Sequence, residues 1–98
     1  MNITYKNKKL HKACTDADYA EKHYGLNMAM KIHMRIDQIH AAENVESLVT
    51  YRIGRCHPLK NNRNGQYAMD LVHPYRLVFE EIGEEIQIAN IIDIVDYH

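Results

Sequence analysis

The pattern of apolar and polar positions changes character near residue 52. Before that point apolar side chains recur at helical spacing. Leu10, Ala13, Cys14, Ala17, Glu21 and Tyr24 fall at three- and four-residue steps, with only Glu21 polar. Thr15 and Asp18 have the spacing of a capping box, which predicts that this segment breaks there into two helices. Gly25 suits the left-handed residue that ends a helix, and Asn27 suits a cap for the next. Ala29, Ile32, Ile36 and Ile39 then mark one stripe of a further helix running to about Glu43, and residues 45–51 add one short turn.

After residue 52 the period shortens to two. Tyr67, Met69 and Leu71 point one way while Gln66, Ala68 and Asp70 point the other. His73-Pro74 turns the chain. Tyr75, Leu77 and Phe79 alternate with Arg76, Val78 and Glu80, and Gly83 marks another turn. Residues 86–97 are rich in β-branched side chains and predict a long last strand, covered on both faces. Helices followed by successive antiparallel strands give an α+β fold, with two or three N-terminal helices packed on one face of a mainly antiparallel twisted sheet.

The 98 residues fit one hydrophobic core, so a single domain over residues 1–98 is expected. Apolar residues make up 46% and charged residues 26% of the chain, which is globular rather than disordered composition. No apolar run approaches the roughly 20 residues that span a bilayer. Residues 1–12 are polar and basic with no apolar stretch behind them, so neither a secretory signal nor a membrane partner is expected. Cys14 and Cys56 form no CxxC pair, which argues against a zinc site or disulfide framework. A cytoplasmic setting, with both thiols acting as small apolar groups, follows.

A net charge of −1 argues weakly against nucleic acid as a partner, but the distribution changes the picture. Residues 52–76 hold Arg52, Arg55, Lys60, Arg63 and Arg76 against one acid, Asp70. Residues 77–98 hold Glu80, Glu81, Glu84, Glu85, Asp93 and Asp96 with no Lys or Arg. Salt screens charges beyond about 8–10 Å, so a local basic stretch can hold phosphate on a neutral protein.

Four features carry candidate chemistry. Arg55-Cys56-His57-Pro58-Leu59-Lys60 enters the loop Asn61-Asn62-Arg63-Asn64-Gly65, whose Asn and Gly residues permit a tight turn. Arg76 stands in an otherwise apolar run, where a guanidinium needs a partner: Asp70, Glu80 or a ligand. The chain closes on Asp96-Tyr97-His98 directly after an apolar strand. Of the seven histidines, His23, His33 and His40 lie in the helical half without an HExxH pattern, which leaves them as surface or partly packed residues and predicts no metal site.

Cys56-His57-Pro58-Leu59-Lys60, Arg63-Asn64-Gly65-Gln66-Tyr67, Tyr75-Arg76-Leu77-Val78-Phe79 and Asp93-Ile94-Val95-Asp96-Tyr97-His98 together resemble the HigB branch of the RelE/ParE toxin superfamily. The resemblance covers most of the length and is looser over the helical half. It implies the RelE-like fold and the toxin of a type II toxin–antitoxin pair. Such a toxin is an endoribonuclease (an mRNA interferase) that works without metal or other cofactor and cuts messenger RNA in the ribosomal decoding site. It also implies a helix-turn-helix, HigA-like antitoxin as partner, with operator DNA reached only through that complex. Carried over by position, His57, Lys60, Arg76, Asp96, Tyr97 and His98 match the family's active site, and Arg63 matches a basic loop position. With Arg55, Lys60 and Arg63 form the expected RNA-binding set, and His57, Arg76, Asp96, Tyr97 and His98 the expected catalytic set. The sequence departs from the commoner family form at Asn61, where glycine is usual.

These residue types suit metal-free RNA cleavage on chemical grounds alone. The ribose 2′-hydroxyl attacks the adjacent phosphorus, so one group must take its proton, another must protonate the departing 5′-oxygen, and a third must offset charge on the phosphate. Acid–base transfer contributes about 10²–10⁴-fold, and imidazole, titrating near 6.5, is its usual carrier. His57 and His98 are the candidates, with Asp96 as a base or an orienting group. Arg76 can engage two phosphate oxygens at once, Lys60 is a point charge, and Tyr97 can stack on a base or donate its hydroxyl. The alternative within the superfamily is a ParE-like toxin that binds DNA gyrase and cuts no RNA. Such a binding protein has no need of paired proton-transfer groups.

Overall fold

A computed structural model describes residues 1–96 of the chain. The fold is α+β, with helices packed on a mixed, mostly antiparallel five-stranded sheet. The chain runs β1 (Asn2–Tyr5), α1 (Lys8–Thr15), α2 (Ala17–Tyr24), α3 (Leu26–Ala41), α4 (Val45–Thr50), a single 3₁₀ turn (Ile53–Arg55), β2 (His57–Pro58), β3 (Gln66–Asp70), β4 (Tyr75–Ile82) and β5 (Ile88–Asp96). The strands lie in the order β1-β5-β4-β3-β2. All neighbours are antiparallel except β1, which runs parallel to β5.

The helical stripe is as the spacing predicts: Ala29, Ile32, Ile36 and Ile39 are all buried. The break between α1 and α2 falls where expected, but its cap differs. Asp16 accepts the Tyr19 N–H at 3.1 Å, while the Thr15 hydroxyl donates back to the His11 carbonyl. Gly25, at φ 85, ends α2 and directly opens α3, so Asn27 lies inside the helix rather than capping it. Beyond α3, Asn44 caps α4 by accepting the Ser47 N–H at 2.9 Å.

The sheet presents one face to the helices. Met69, Leu71, Leu77, Phe79, Ala89 and Ile91 join Leu10, Ile32, Ile36, Ile39 and Leu48 in one core. The alternation read for β3 and the start of β4 is therefore the observed one. The expectation for β5 is corrected: only Ala89 and Ile91 along it are buried, so one face is covered and not two. The β4–β5 register slips between Val78 and Phe79: Val78 pairs with Asp93 and Phe79 with Ile91, which leaves Ile92 as the extra residue of a bulge. β1 is an addition to the expected fold. Its Ile3 and Tyr5 pack against the core, and the Met1 nitrogen donates to the carbonyls of Ile39, His40 and Ala42 at the end of α3.

Candidate functional site

The site is built where the end of α4 meets the edge of the sheet. β2 pairs with β3 so that His57 stands opposite Ala68, and β3 pairs with β4 so that Asp70 stands opposite Arg76. Paired residues share a face, and Ala68 and Val78 alternate with the core residues Met69 and Leu77. His57, Asp70 and Arg76 therefore project from the sheet face turned away from the helical core. A cleft of about 490 Å³ opens here, lined by Val49, Thr50, Arg52, Arg55, Cys56, His57 and Arg76.

The wall of this cleft is an unusual piece of backbone. Arg52 (φ 53), Gly54 (φ 57) and Arg55 (φ 54) all adopt left-handed conformations within four residues. For residues with a Cβ this region is disfavoured by about 1–2 kcal/mol each, so the turn is held by its surroundings rather than by its own preference. Gly54 answers a second need. A Cβ there would stand 2.6 Å from Nε of Arg35, a side chain that α3 sends beneath the turn. Arg35 is pinned, donating from Nε to the Asp70 carbonyl at 2.7 Å and from a terminal nitrogen to Gln38 Oε1 at 2.9 Å. Burial pushes its guanidinium pKa down, and the charge of Asp70 opposes that shift.

The turn also orients the imidazole. His57 Nδ1 lies 2.8 Å from the Arg55 carbonyl oxygen. A carbonyl only accepts, so Nδ1 carries the hydrogen, and in the neutral ring Nε2 bears the lone pair. The ring is thus held as a base with its accepting nitrogen away from the turn. Asp70 links two of the arginines. One carboxylate oxygen lies 3.3 Å from Nε of Arg55 and the other 3.5 Å from Nε of Arg76. Of the partners weighed for Arg76 from sequence, Asp70 is thus present. Cys56 stands between Arg55 and His57, but burial pushes its thiol up to about 12, and Cys14 likewise. Both are protonated at neutral pH and serve the core, as read from sequence.

Of the residues singled out from sequence, the structure brings His57, Arg55 and Arg76 into one cleft. Lys60 is exposed on the 59–65 loop, and Arg63 donates to Gln66 Oε1 at 2.9 Å at the end of the same loop; neither lines the cleft. Asn61 adopts φ 66, a conformation glycine takes freely and asparagine tolerates, which accounts for the departure at this position. Asp96 stands opposite Tyr75, one residue beyond the Arg76–Val95 pair and therefore on the other face of the sheet. Tyr97 and His98 lie outside the described residues. Arg52, counted from sequence only as part of the basic stretch, is a cleft residue, and Arg35 was not anticipated at all. Among the described residues no three His, Cys, Asp or Glu side chains converge as metal ligands, and no helix is long and apolar enough to cross a membrane.

Among solved structures the chain is similar to the YoeB/ParE toxin from Agrobacterium tumefaciens, with a TM-score of 0.68, 16% sequence identity and all of both chains covered. At that identity the likeness is one of fold, and the fold is the RelE/ParE-like one. No family model matches the sequence, and no curated protein is detectably similar to it.

Proposed function

We propose that this chain is the toxin of a bacterial type II toxin–antitoxin pair, a HigB-like endoribonuclease that acts in the cytoplasm on messenger RNA held in the ribosome. The observation that carries this reading is the cleft itself: an imidazole with its tautomer fixed by a backbone carbonyl, beside three arginines. A surface that only docks onto a protein does not need an oriented proton acceptor, and it does not need cations held in strained backbone.

In this reading the messenger RNA backbone crosses the cleft. Arg76 and Arg55 engage the nonbridging oxygens of the scissile phosphate, and Arg52 holds a neighbouring one. Nε2 of His57 accepts the 2′-proton as the 2′-oxygen bonds to phosphorus. The bond to the 5′-oxygen then breaks, leaving a 2′,3′-cyclic phosphate, and that oxygen takes a proton from an acid. His98 is the candidate for that acid and Tyr97 stacks on a base or donates its hydroxyl to the phosphate, with Lys60 and Arg63 following the RNA along the loop. Asp96, on the opposite sheet face from His57 and Arg76, takes no part in the proton transfer at His57. The ribosome supplies alignment that a protein of net charge −1 does not achieve alone. A HigA-like helix-turn-helix antitoxin, encoded beside this chain, restrains it and carries operator binding for the pair.

The test is primer extension on cellular transcripts after brief expression of the chain. New 5′ ends inside open reading frames, absent with His57→Ala, support the ribonuclease. Intact transcripts together with gyrase-trapped DNA breaks would instead establish the ParE-like reading.

A further inference from the structure

Three arginines meet at one acid. Arg55 and Arg76 hold the two carboxylate oxygens of Asp70, and Arg35 holds its backbone carbonyl. Asp70 is the single acid between residues 52 and 76, and its side chain is only 28% exposed. Both guanidinium groups it engages line the cleft, beside His57 and Arg52. A carboxylate set between two such groups presents to them what a phosphate would: anionic oxygens that accept from Nε.

We propose that Asp70 is an internal stand-in for the RNA phosphate, a positioning residue that keeps Arg55 and Arg76 aligned and neutralised until a phosphodiester displaces it. The inference deepens the ribonuclease reading and rests on it. Its consequence is selectivity. The cleft gathers Arg52, Arg55 and Arg76, and Asp70 cancels one of those three charges. Free RNA must compete with a tethered carboxylate for the same donors, so it binds weakly. RNA fixed by the ribosome arrives at high effective concentration and wins that competition. The anchoring by Arg35 matters because a carboxylate on a mobile segment would compete poorly. Asp70 cannot drift away, since its own carbonyl is tied to α3.

The experiment compares binding of a single-stranded RNA oligonucleotide, 2′-O-methylated so that it is not cut, to wild type, Asp70→Asn and Glu84→Gln by fluorescence anisotropy across a salt series. Glu84→Gln removes one negative charge from the exposed acidic stretch outside the cleft. Asp70→Asn should bind about three- to tenfold tighter than wild type at low salt, the effect of one unit charge removed several ångströms from the bound phosphate. Its salt dependence should steepen and naked RNA should be cut faster, while Glu84→Gln should follow wild type. A purely structural Asp70 would give unchanged or weaker binding on removal, and that result overturns the proposal. So does an equal gain in Glu84→Gln, which would make the effect one of net charge, and so does an absence of RNA binding in every variant. Should Asp70→Asn fail to fold, the Nε–H signals of Arg55 and Arg76 in wild type decide by NMR. They should move when the oligonucleotide is added, and signals that stay fixed at saturation refute displacement. Tighter binding by Asp70→Asn in a chain that leaves transcripts intact would retain the stand-in and remove the ribonuclease. Cleavage with unaltered binding would do the reverse.

Discussion

Replacing Arg52 by glycine should make the protein more stable and less active. Arg52 occupies the position just past α4 where a left-handed residue closes the helix: its N–H donates to the Val49 carbonyl at 3.1 Å, and its backbone sits at φ 53, ψ 40. Glycine is the usual occupant of that position. A residue with a Cβ is disfavoured there by about 1–2 kcal/mol, whereas glycine adds about 0.5–1 kcal/mol of backbone entropy on unfolding. The exposed Arg52 side chain contributes little in return. The net expectation is about 0.5–1 kcal/mol of added stability, or a Tm higher by about 2–8 °C for a chain of this size. Arg52→Ala keeps the strained backbone and loses the same charge, so it should melt with wild type. Both variants should lose ribosome-dependent cleavage to a similar degree. Thermal denaturation followed by circular dichroism, beside a cleavage assay, measures both effects. An Arg52→Gly protein that melts at or below Arg52→Ala would show that the left-handed turn stores no strain for function to maintain.

Arg76→Lys should restore little of the cleavage lost in Arg76→Ala, because a planar fork is replaced by a point charge, and both variants should remain folded by circular dichroism. Gly54→Ala should cost about 1–3 kcal/mol, since its Cβ would meet the pinned Arg35 guanidinium 2.6 Å away at φ 57; urea denaturation gives the value, and a wild-type midpoint would refute the close approach. Stability should fall as pH rises above about 9. The thiols of Cys14 and Cys56 are raised from 9.0 to about 12 in the folded chain, so the unfolded chain loses those protons first, and the stability present below pH 9 is lost progressively toward 12. Each thiol contributes up to about 1.4 kcal/mol per pH unit in that window. Chemical denaturation at pH 8 and pH 10 checks this, and Cys56→Ala should flatten the slope.

The parts of this fold written in local periodicity were legible in the sequence. The buried stripe of α3 and the alternation of β3 follow from spacing alone, and the resulting α+β layering follows from them. β1 was missed because two apolar residues, Ile3 and Tyr5, make too short an alternation, and its partner Ile91 lies 86 positions beyond Tyr5. The cap at Asp16 escaped because Thr15 and Asp18 offered an equally good local pattern; only the backbone shows which oxygen reaches Tyr19. His57, Arg55 and Arg76 were found through residue type and position. Arg52 was not singled out, since nothing in an arginine announces a left-handed backbone. Arg35 was not either, since its partner is a carbonyl 35 residues away. Asp70 was legible as a partner for Arg76, but the approach of Arg55 and Arg35 to it is set by how the 3₁₀ turn and α3 pack on the sheet, which pattern reading does not supply.

Purified chain incubated with ribosomes programmed with a defined messenger RNA, and with the same RNA alone, tests the central claim most directly. The expected result is cuts within the decoding-site codon on the ribosome, a 2′,3′-cyclic phosphate on the upstream fragment, nearly intact naked RNA, and no cuts with His57→Ala. Equal cleavage of naked and ribosome-bound RNA, or full activity in His57→Ala, would contradict it.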